Sequence, residues 1–188
     1  MTVMTEVRHL TTAELEAGLD WIRQAPKTQG RLDLIVRRPQ SEAREILREG
    51  ELDLVVGLVG DNWKDRPSSR SADGLAHPDM QLNLMNSRAI DLIAQDRGRW
   101  HLAGDQLFVD LDLSEANLPA GTQLVIGSAI IEVTDQPHTG CQKFVARFGL
   151  DAMKFVNSPV GKELHLRGIC AKVVQPGVIR AGDVVQKR

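Results

Sequence analysis

Tyrosine is absent, and aromatic residues make up only 4% of the 188-residue chain. That leaves little with which to build a stacking platform for nucleic-acid bases. An excess of one charge is missing as well: 23 basic and 25 acidic residues give a net charge of −2. No whole-chain basic field exists to hold nucleic acid or anionic lipid. No apolar run approaches the roughly 18 residues that a membrane span requires. The segment from Met1 to Leu10 carries Glu6, Arg8 and His9 and has no apolar stretch, so it does not read as a secretory signal. Cysteine occurs only as Cys141 and Cys170, too few for a disulfide framework and most simply read as reduced thiols. These absences lead to the expectation of a cytoplasmic protein with neither a nucleic-acid nor a membrane partner.

What is present is an ordinary globular balance, 42% hydrophobic and 26% charged, long enough to bury a core without covalent staples. Residues 1–30 read as an N-terminal helical extension. Thr11 and Glu14 have the spacing of a capping box, Leu15, Leu19 and Ile22 follow at helical intervals, and Pro26 stops the run. From residue 31 to 188 the pattern is mainly β with a few helices. Leu32, Leu34 and Val36 alternate with polar residues, as a strand requires. The stretch from Arg44 to Leu54 has a composition that suits a helix, but Gly50 interrupts it and it leans towards strand, and Gly57 and Gly60 are placed for a turn or bulge. Residues 62–80 read as a long loop with Lys64, Arg66, Arg70 and His77, either a lid or a solvated segment. Asn86 or Ser87 caps a helix through Ala89, Ile90, Ile93 and Ala94, ending near Gly98. Strands follow at Leu107–Leu111, Leu124–Ile126 and Ile130–Val133. Leu164 to Arg167 alternates like a strand, with a bulge at Gly168 before Ile169–Val174. Turns are expected at Pro176-Gly177 and Gly182-Asp183. Short strands separated by glycine-rich turns suggest a barrel.

The sharpest chemical signal is Pro137-His138-Thr139-Gly140-Cys141-Gln142-Lys143-Phe144. Phe144 and Phe148 lie at i,i+4, which places Cys141 at the start of a short helix. Helix-terminal amides and the nearby Lys143 favour a thiolate, the form that ligates soft metals or carries sulfur. A buried structural cysteine is the plainer reading. His138 lies three residues earlier and is either a proton donor beside the thiol or a solvated turn residue. Cys170 sits among Ile169, Ala171 and Val173 and reads as core.

Taken in order, several separated pieces resemble the MOSC domain, named for the C-terminal domain of molybdenum cofactor sulfurase. Gly57-Leu58-Val59-Gly60-Asp61 is similar to the family's early Gly-x-x-Gly-Asp turn, and Gln81-Leu82-Asn83-Leu84 to its central strand–helix step. Gly104-Asp105-Gln106-Leu107 resembles Gly-Glu-Asn-Leu, and the cysteine segment resembles Pro-Arg-x-Pro-Cys-x-Lys-Leu. Residues 161–168 and 177–183 resemble the closing glycine-rich hairpin. His138 stands where the family usually has Arg, and Gly140 where it usually has Pro.

The resemblance implies a β-barrel-like fold and a molybdenum cofactor (molybdopterin) site with Cys141 as the metal ligand. Cys141 and, from its position three residues earlier rather than from the resemblance, His138 would be catalytic, and Lys143 and Arg167 would bind the cofactor. A cofactor phosphate calls for a guanidinium fork. Arg167 is preferred because it alternates with Leu164 and Leu166; Arg147, Lys172 and Arg180 are the other candidates. The implied activity is two-electron reduction of a small N-oxygenated substrate, with a redox partner. A sulfur carrier with a persulfide on Cys141, serving a donor or acceptor protein, is one alternative; a noncatalytic adaptor is another. No pyridoxal phosphate is expected.

Overall fold

In a computed structural model that describes residues 7–188, β1 (Gln29–Arg37) is the strand that the alternation of Leu32, Leu34 and Val36 announces. Its side chains do not share one face, however. A bulge between Leu32 and Leu34 in its pairing with β6 (Leu107–Asp110) resets the alternation. Leu32 and Ile35 then enter one core, while Leu34 and Val36 enter another. β1 is thus buried on both sides, and a bulge is the usual device for such a change of face.

Seven strands close into a barrel. β5 (Leu82–Asn86) pairs in parallel with β6. β9 (Ile169–Gln175), β8 (Ala129–Val133), β7 (Gln123–Ile126) and β11 (Val184–Lys187) continue the sheet antiparallel. Pairing of β11 with β1, Gln29 opposite Gln186, completes the circle. β2 (Glu45–Leu47) extends the far half of β1. A second sheet of β3 (Glu49–Asp53), β4 (Gly57–Leu58) and β10 (Gly177–Arg180) adds Leu52, Leu58 and Ile179 to the barrel core. Residues 44–54 are therefore largely strand, as their sequence leaned.

The second core lies between the outer faces of β1, β5 and β6 and a helical layer. That layer contains α1 (Thr12–Ala17), α2 (Leu19–Arg23), α3 (Ser87–Ala94), α4 (Gln142–Phe148), α5 (Leu150–Asn157) and α6 (Pro159–Glu163). The Thr11–Glu14 capping box forms in both directions. Of the N-terminal extension expected over residues 1–30, residues 1–6 lie outside the described range. The single helix expected over Leu15–Ile22 is two, divided at Gly18, where a Cβ would come within 2.5 Å of Leu92. Leu15 and Ile22 are fully or almost fully buried, each contributing about 1.5–3 kcal/mol by area. Asn86 caps α3 through its carboxamide oxygen. The helix ends at Gln95, earlier than Gly98, and gives way to a 3-10 segment at Arg97–Ala103.

Two other expectations are corrected. Leu164 to Arg167 is not a strand but the exit from α6: Leu166 N–H donates to Gly161 O and Gly168 N–H to His165 O. Ser158 caps α6 and Pro159 occupies its first turn, a helix-start signal that overrides a four-residue alternation. Gly168 is consequently the entry to β9 rather than a bulge within a longer strand. Gly177 begins β10 instead of forming a turn with Pro176, whereas the Gly182-Asp183 turn forms as expected, with Gly182 at φ 96°. No helix among the described residues is long and apolar enough to cross a membrane.

Candidate functional site

The segment that leaves β8 is pinned along its length. Thr134 Oγ1 donates to Asp79 O, and Arg70 Nη1 donates to Pro137 O at 3.0 Å. Asn157, the last residue of α5, clamps Gly140 from both sides: its Oδ1 accepts from Gly140 N–H at 2.9 Å, and its Nδ2 donates to Gly140 O at 3.2 Å. Cys141 follows in extended conformation (φ −129°) as the residue preceding α4. Its thiol makes no capping bond and is exposed. Phe144 and Phe148, buried with ring centroids 4.9 Å apart, anchor α4 to the helical core. Cys141 is thereby held at the edge of a cavity of about 290 Å³. Cys170, by contrast, is buried in β9; its thiol accepts from Asn83 Nδ2 at 3.3 Å, and burial pushes its pKa up to about 12.

The floor of the cavity is a buried charged network. Asp105 is fully buried. It accepts from Arg167 Nη1 at 2.6 Å and sits 2.8 Å from His138 Nε2. Arg167 Nη2 donates to Ala103 O at 2.9 Å, its guanidinium lies 5.0 Å from the Phe144 ring centroid, and its buried Nε has no partner. Burial alone would push the Asp105 carboxyl up, but Arg167 and His138 outweigh it and hold it below its ordinary value. Burial first, and then Arg167, lowers the His138 pKa against the opposing pull of Asp105. That shift favours the neutral imidazole. Facing a carboxylate, its Nε2 carries the hydrogen and donates, which leaves Nδ1 as an unprotonated lone pair.

Cations dominate the rest of the lining. Arg38 meets Asp61 in a buried two-pronged pair, Nε to Oδ1 at 2.9 Å and Nη2 to Oδ2 at 2.8 Å. Lys143 and Arg147 share one carboxylate, Glu42, at 2.7 and 2.8 Å. Glu42 holds an unusual left-handed φ of 63°, and those two cations keep its carboxyl below the usual range. Arg44 and Arg66 line the same cavity and have no carboxylate partner among the described residues. Burial, then Arg147 and Arg38, lowers the Arg44 pKa, although arginine remains charged. Gly104, at φ 89°, lets this cluster close in: a Cβ there would lie 3.3 Å from Arg44 Nη2.

All four residues singled out from the sequence, His138, Cys141, Lys143 and Arg167, line this one cavity. Arg147 joins them, and so do Arg66 and His77 from the long loop. Lys172 and Arg180 do not; they pair elsewhere, with Asp79 and Glu49. Lys64 and Arg70 line a separate hollow. Arg167 arrives from the α6 exit and not from strand alternation, and both of its Nη groups are already engaged. Sequence reasoning missed Arg38, Arg44, Asp61 and the role of Asp105. Only Asp61 and Asp105 had a signal, as members of the two glycine motifs.

The model of the MOSC domain matches residues 73–186, more than half of the chain. The chain belongs to the MOSC family. Solved structures agree on the fold. The YUAD protein from Bacillus subtilis aligns at 14% identity over 85% of this chain and 95% of its own, with a TM-score of 0.60. YiiM from Escherichia coli aligns at 23% identity over 84% and 69%, with a TM-score of 0.53. YiiM from Geobacillus stearothermophilus aligns at 19% over 85% and 75%, with a TM-score of 0.52. Among curated proteins none matches.

Both departures of this MOSC protein from the motif at its cysteine have a physical counterpart in the structure. A proline at 140 would have no N–H to give Asn157, and a Cβ there would stand 3.0 Å from Val156. Gly140 with Asn157 does by hydrogen bonding what a proline ring does by stiffness. His138, in turn, contacts Asp105, itself the shorter acid in the Gly-Asp-Gln-Leu segment, and lines the same cavity as Cys141.

Proposed function

We propose that this MOSC protein binds molybdenum cofactor in the cysteine cavity, with Cys141 as the protein's ligand to the metal, and serves two-electron reduction of a small N-oxygenated substrate. The observation that carries the reading is charge. Six fixed cations (Arg38, Arg44, Arg66, Lys143, Arg147 and Arg167) surround one accessible thiol. Only Asp61, Asp105 and Glu42 answer them among the described residues. Such an excess fits a ligand that brings a phosphate. The donor set fits as well. No group of three or more His, Cys, Asp or Glu side chains suited to a metal exists among the described residues. The chain itself offers a single accessible thiol, and a metal held there would bring its remaining ligands with it.

When bound, the cofactor would supply a metal centre that cycles by two electrons. The chain's own residues would do the rest. Arg44 and Arg66, free of carboxylates, would hold the phosphate. Lys143 and Arg147 would join them once Glu42 gives way. Arg167, its Nη groups spent on Asp105 and Ala103, would keep the floor charged and rigid. His138, neutral and fixed through Nε2, would take up or give a proton at Nδ1. A redox partner would deliver the electrons.

Exposure of Cys141 also favours a second reading, sulfur transfer through a persulfide on that thiol to or from a partner protein. The experiment is metal, pterin and cyanide-labile sulfur analysis of protein made in a cofactor-producing host, for the parent and Cys141→Ser. About one molybdenum per chain, lost in the serine variant with its circular dichroism unchanged, is the expected result. Labile sulfur without molybdenum would shift the reading to sulfur transfer. Neither would leave a noncatalytic module.

A further inference from the structure

Among the described residues, three acids answer the six cations of the cysteine cavity, and two of them are fixed. The Asp61 and Asp105 side chains are fully buried in their arginine pairs. Glu42 differs. Its side chain is 61% exposed, and its carboxylate bridges two cations from far along the chain. Lys143 Nζ donates to Oε1 at 2.7 Å, and Arg147 Nη2 donates to Oε2 at 2.8 Å. Arg147 Nη1 also donates to Leu102 O at 2.8 Å, so Arg147 has an anchor that does not depend on Glu42. Lys143, itself exposed, has no other partner among the described residues. Ion pairs open to solvent stabilise a fold little, so this contact can break while the fold stands.

The segment that carries Glu42 is loosely held. Residues 39–42 are exposed between β1 and β2. Their only side-chain hydrogen bonds among the described residues are the two from Lys143 and Arg147. Glu42 itself sits at φ 63°, a left-handed conformation that a non-glycine residue keeps only where its surroundings hold it. It lines a hollow of about 170 Å³ that shares Arg38, Arg44, Arg66 and Lys143 with the cysteine cavity. Glu42 thus sets a negative charge against the cations that an incoming anion would use.

We propose that Glu42 is a latch, a tethered stand-in for the ligand's anionic group: its carboxylate occupies Lys143 and Arg147, yields them to a phosphate, and withholds them from a lone carboxylate. The tether decides the selectivity. A carboxylate on the chain competes at a high effective concentration, so a free one of equal charge gains nothing by exchange. A phosphate brings more charge and more acceptor oxygens. It can also use Arg44 and Arg66, which have no carboxylate partner among the described residues. Its arrival would release Glu42 from the left-handed backbone. That the phosphate belongs to a molybdenum cofactor rests on the function proposed above; the competition itself does not.

The test uses ¹⁵N-labelled full-length protein without cofactor, at constant ionic strength, so molybdenum plays no part in the readout. Inorganic phosphate and acetate are titrated while the backbone amides of Lys143 and Phe144 are followed by NMR. The parent is expected to bind phosphate saturably and acetate at least about tenfold more weakly, the worth of one charge-assisted contact. Glu42→Gln keeps the volume and removes the charge. It should bind phosphate about three- to tenfold more tightly, the worth of two solvent-facing ion pairs. Glu42→Gly, which suits the left-handed φ, is the second variant if glutamine disturbs the segment. Glu16→Gln, on α1 and outside the cavity lining, changes the net charge equally and should leave phosphate affinity as it is. Phosphate saturation of the parent should lower the ¹⁵N heteronuclear NOE of Ser41 and Ala43, because the segment loses its tie. Equal phosphate affinity in the parent and the Glu42 variants, acetate binding as tightly as phosphate, or an unchanged NOE overturns the latch alone. No phosphate binding in parent or variants overturns the latch together with the anionic ligand of the proposed function.

Discussion

Replacing Asp105 by asparagine isolates the charge at the centre of the site. The carboxamide has nearly the same volume and can still accept from His138 Nε2, but it leaves the Arg167 guanidinium buried, with Ala103 O as its remaining acceptor. Removing one partner of a buried ion pair typically costs about 3–5 kcal/mol. Full burial of Asp105, with Arg167 only 8% exposed, puts this pair in that class. For a domain of this size each kcal/mol corresponds to about 2–4 °C in melting temperature, so a fall of about 6–20 °C is expected. Urea unfolding followed by far-UV circular dichroism at pH 7 gives the free energy directly. The double variant Asp105→Asn/Arg167→Met should be less destabilised than the two single variants added together, because it removes both buried charges. A loss below about 1 kcal/mol for Asp105→Asn, or simple additivity in the cycle, would refute the idea that this pair holds the cavity floor.

Thiol counting in the native protein should find one reactive group: Cys141 labels, while Cys170, buried and pushed to a pKa of about 12, labels only after denaturation; two equal rates would contradict both placements. Arg44→Ala and Arg66→Ala should each reduce cofactor retention roughly ten- to hundredfold, the usual loss for a charge-assisted hydrogen bond, measured as pterin content after dialysis; full retention in both would move the phosphate elsewhere. The pH dependence follows from His138, whose folded pKa lies below the ordinary value of 6.5. Below 6.5 the unfolded chain takes up a proton that the folded chain resists, so the stabilising contribution is complete above 6.5 and is lost as pH falls towards the folded pKa. His138→Gln should flatten the urea-denaturation midpoint between pH 7 and pH 5 relative to the parent, and an unchanged slope would rule this out. Asp105, also lowered, adds the same direction of loss only below its ordinary value of 3.8.

Local signals in the sequence were sufficient for much of this protein. The Thr11–Glu14 box, the Asn86 cap, the strand character of residues 31–37 and the position of Cys141 ahead of Phe144 and Phe148 all depend on neighbours within a few residues. Backbone geometry and side-chain spacing decide them before any long-range contact forms. The order of the motifs carried the family resemblance and with it the barrel, although Gly161 lies in α6 and Gly177 starts a strand of the second sheet. Patterns too short to be unique misled: alternation across Leu164–Arg167 suits a helix exit as well as a strand, and Ser158-Pro159 outweighed it. In β1, one bulge divided Leu32 from Leu34 and Val36, which no periodicity could reveal. The chemistry of the site lay furthest from view. Asp105 meets residues 33 and 62 positions away, and Arg44 and Arg66 stand out only because no carboxylate reaches them. A side chain's charge is written in the sequence, but its partner, its burial and therefore its protonation are set by which distant segments the barrel brings together.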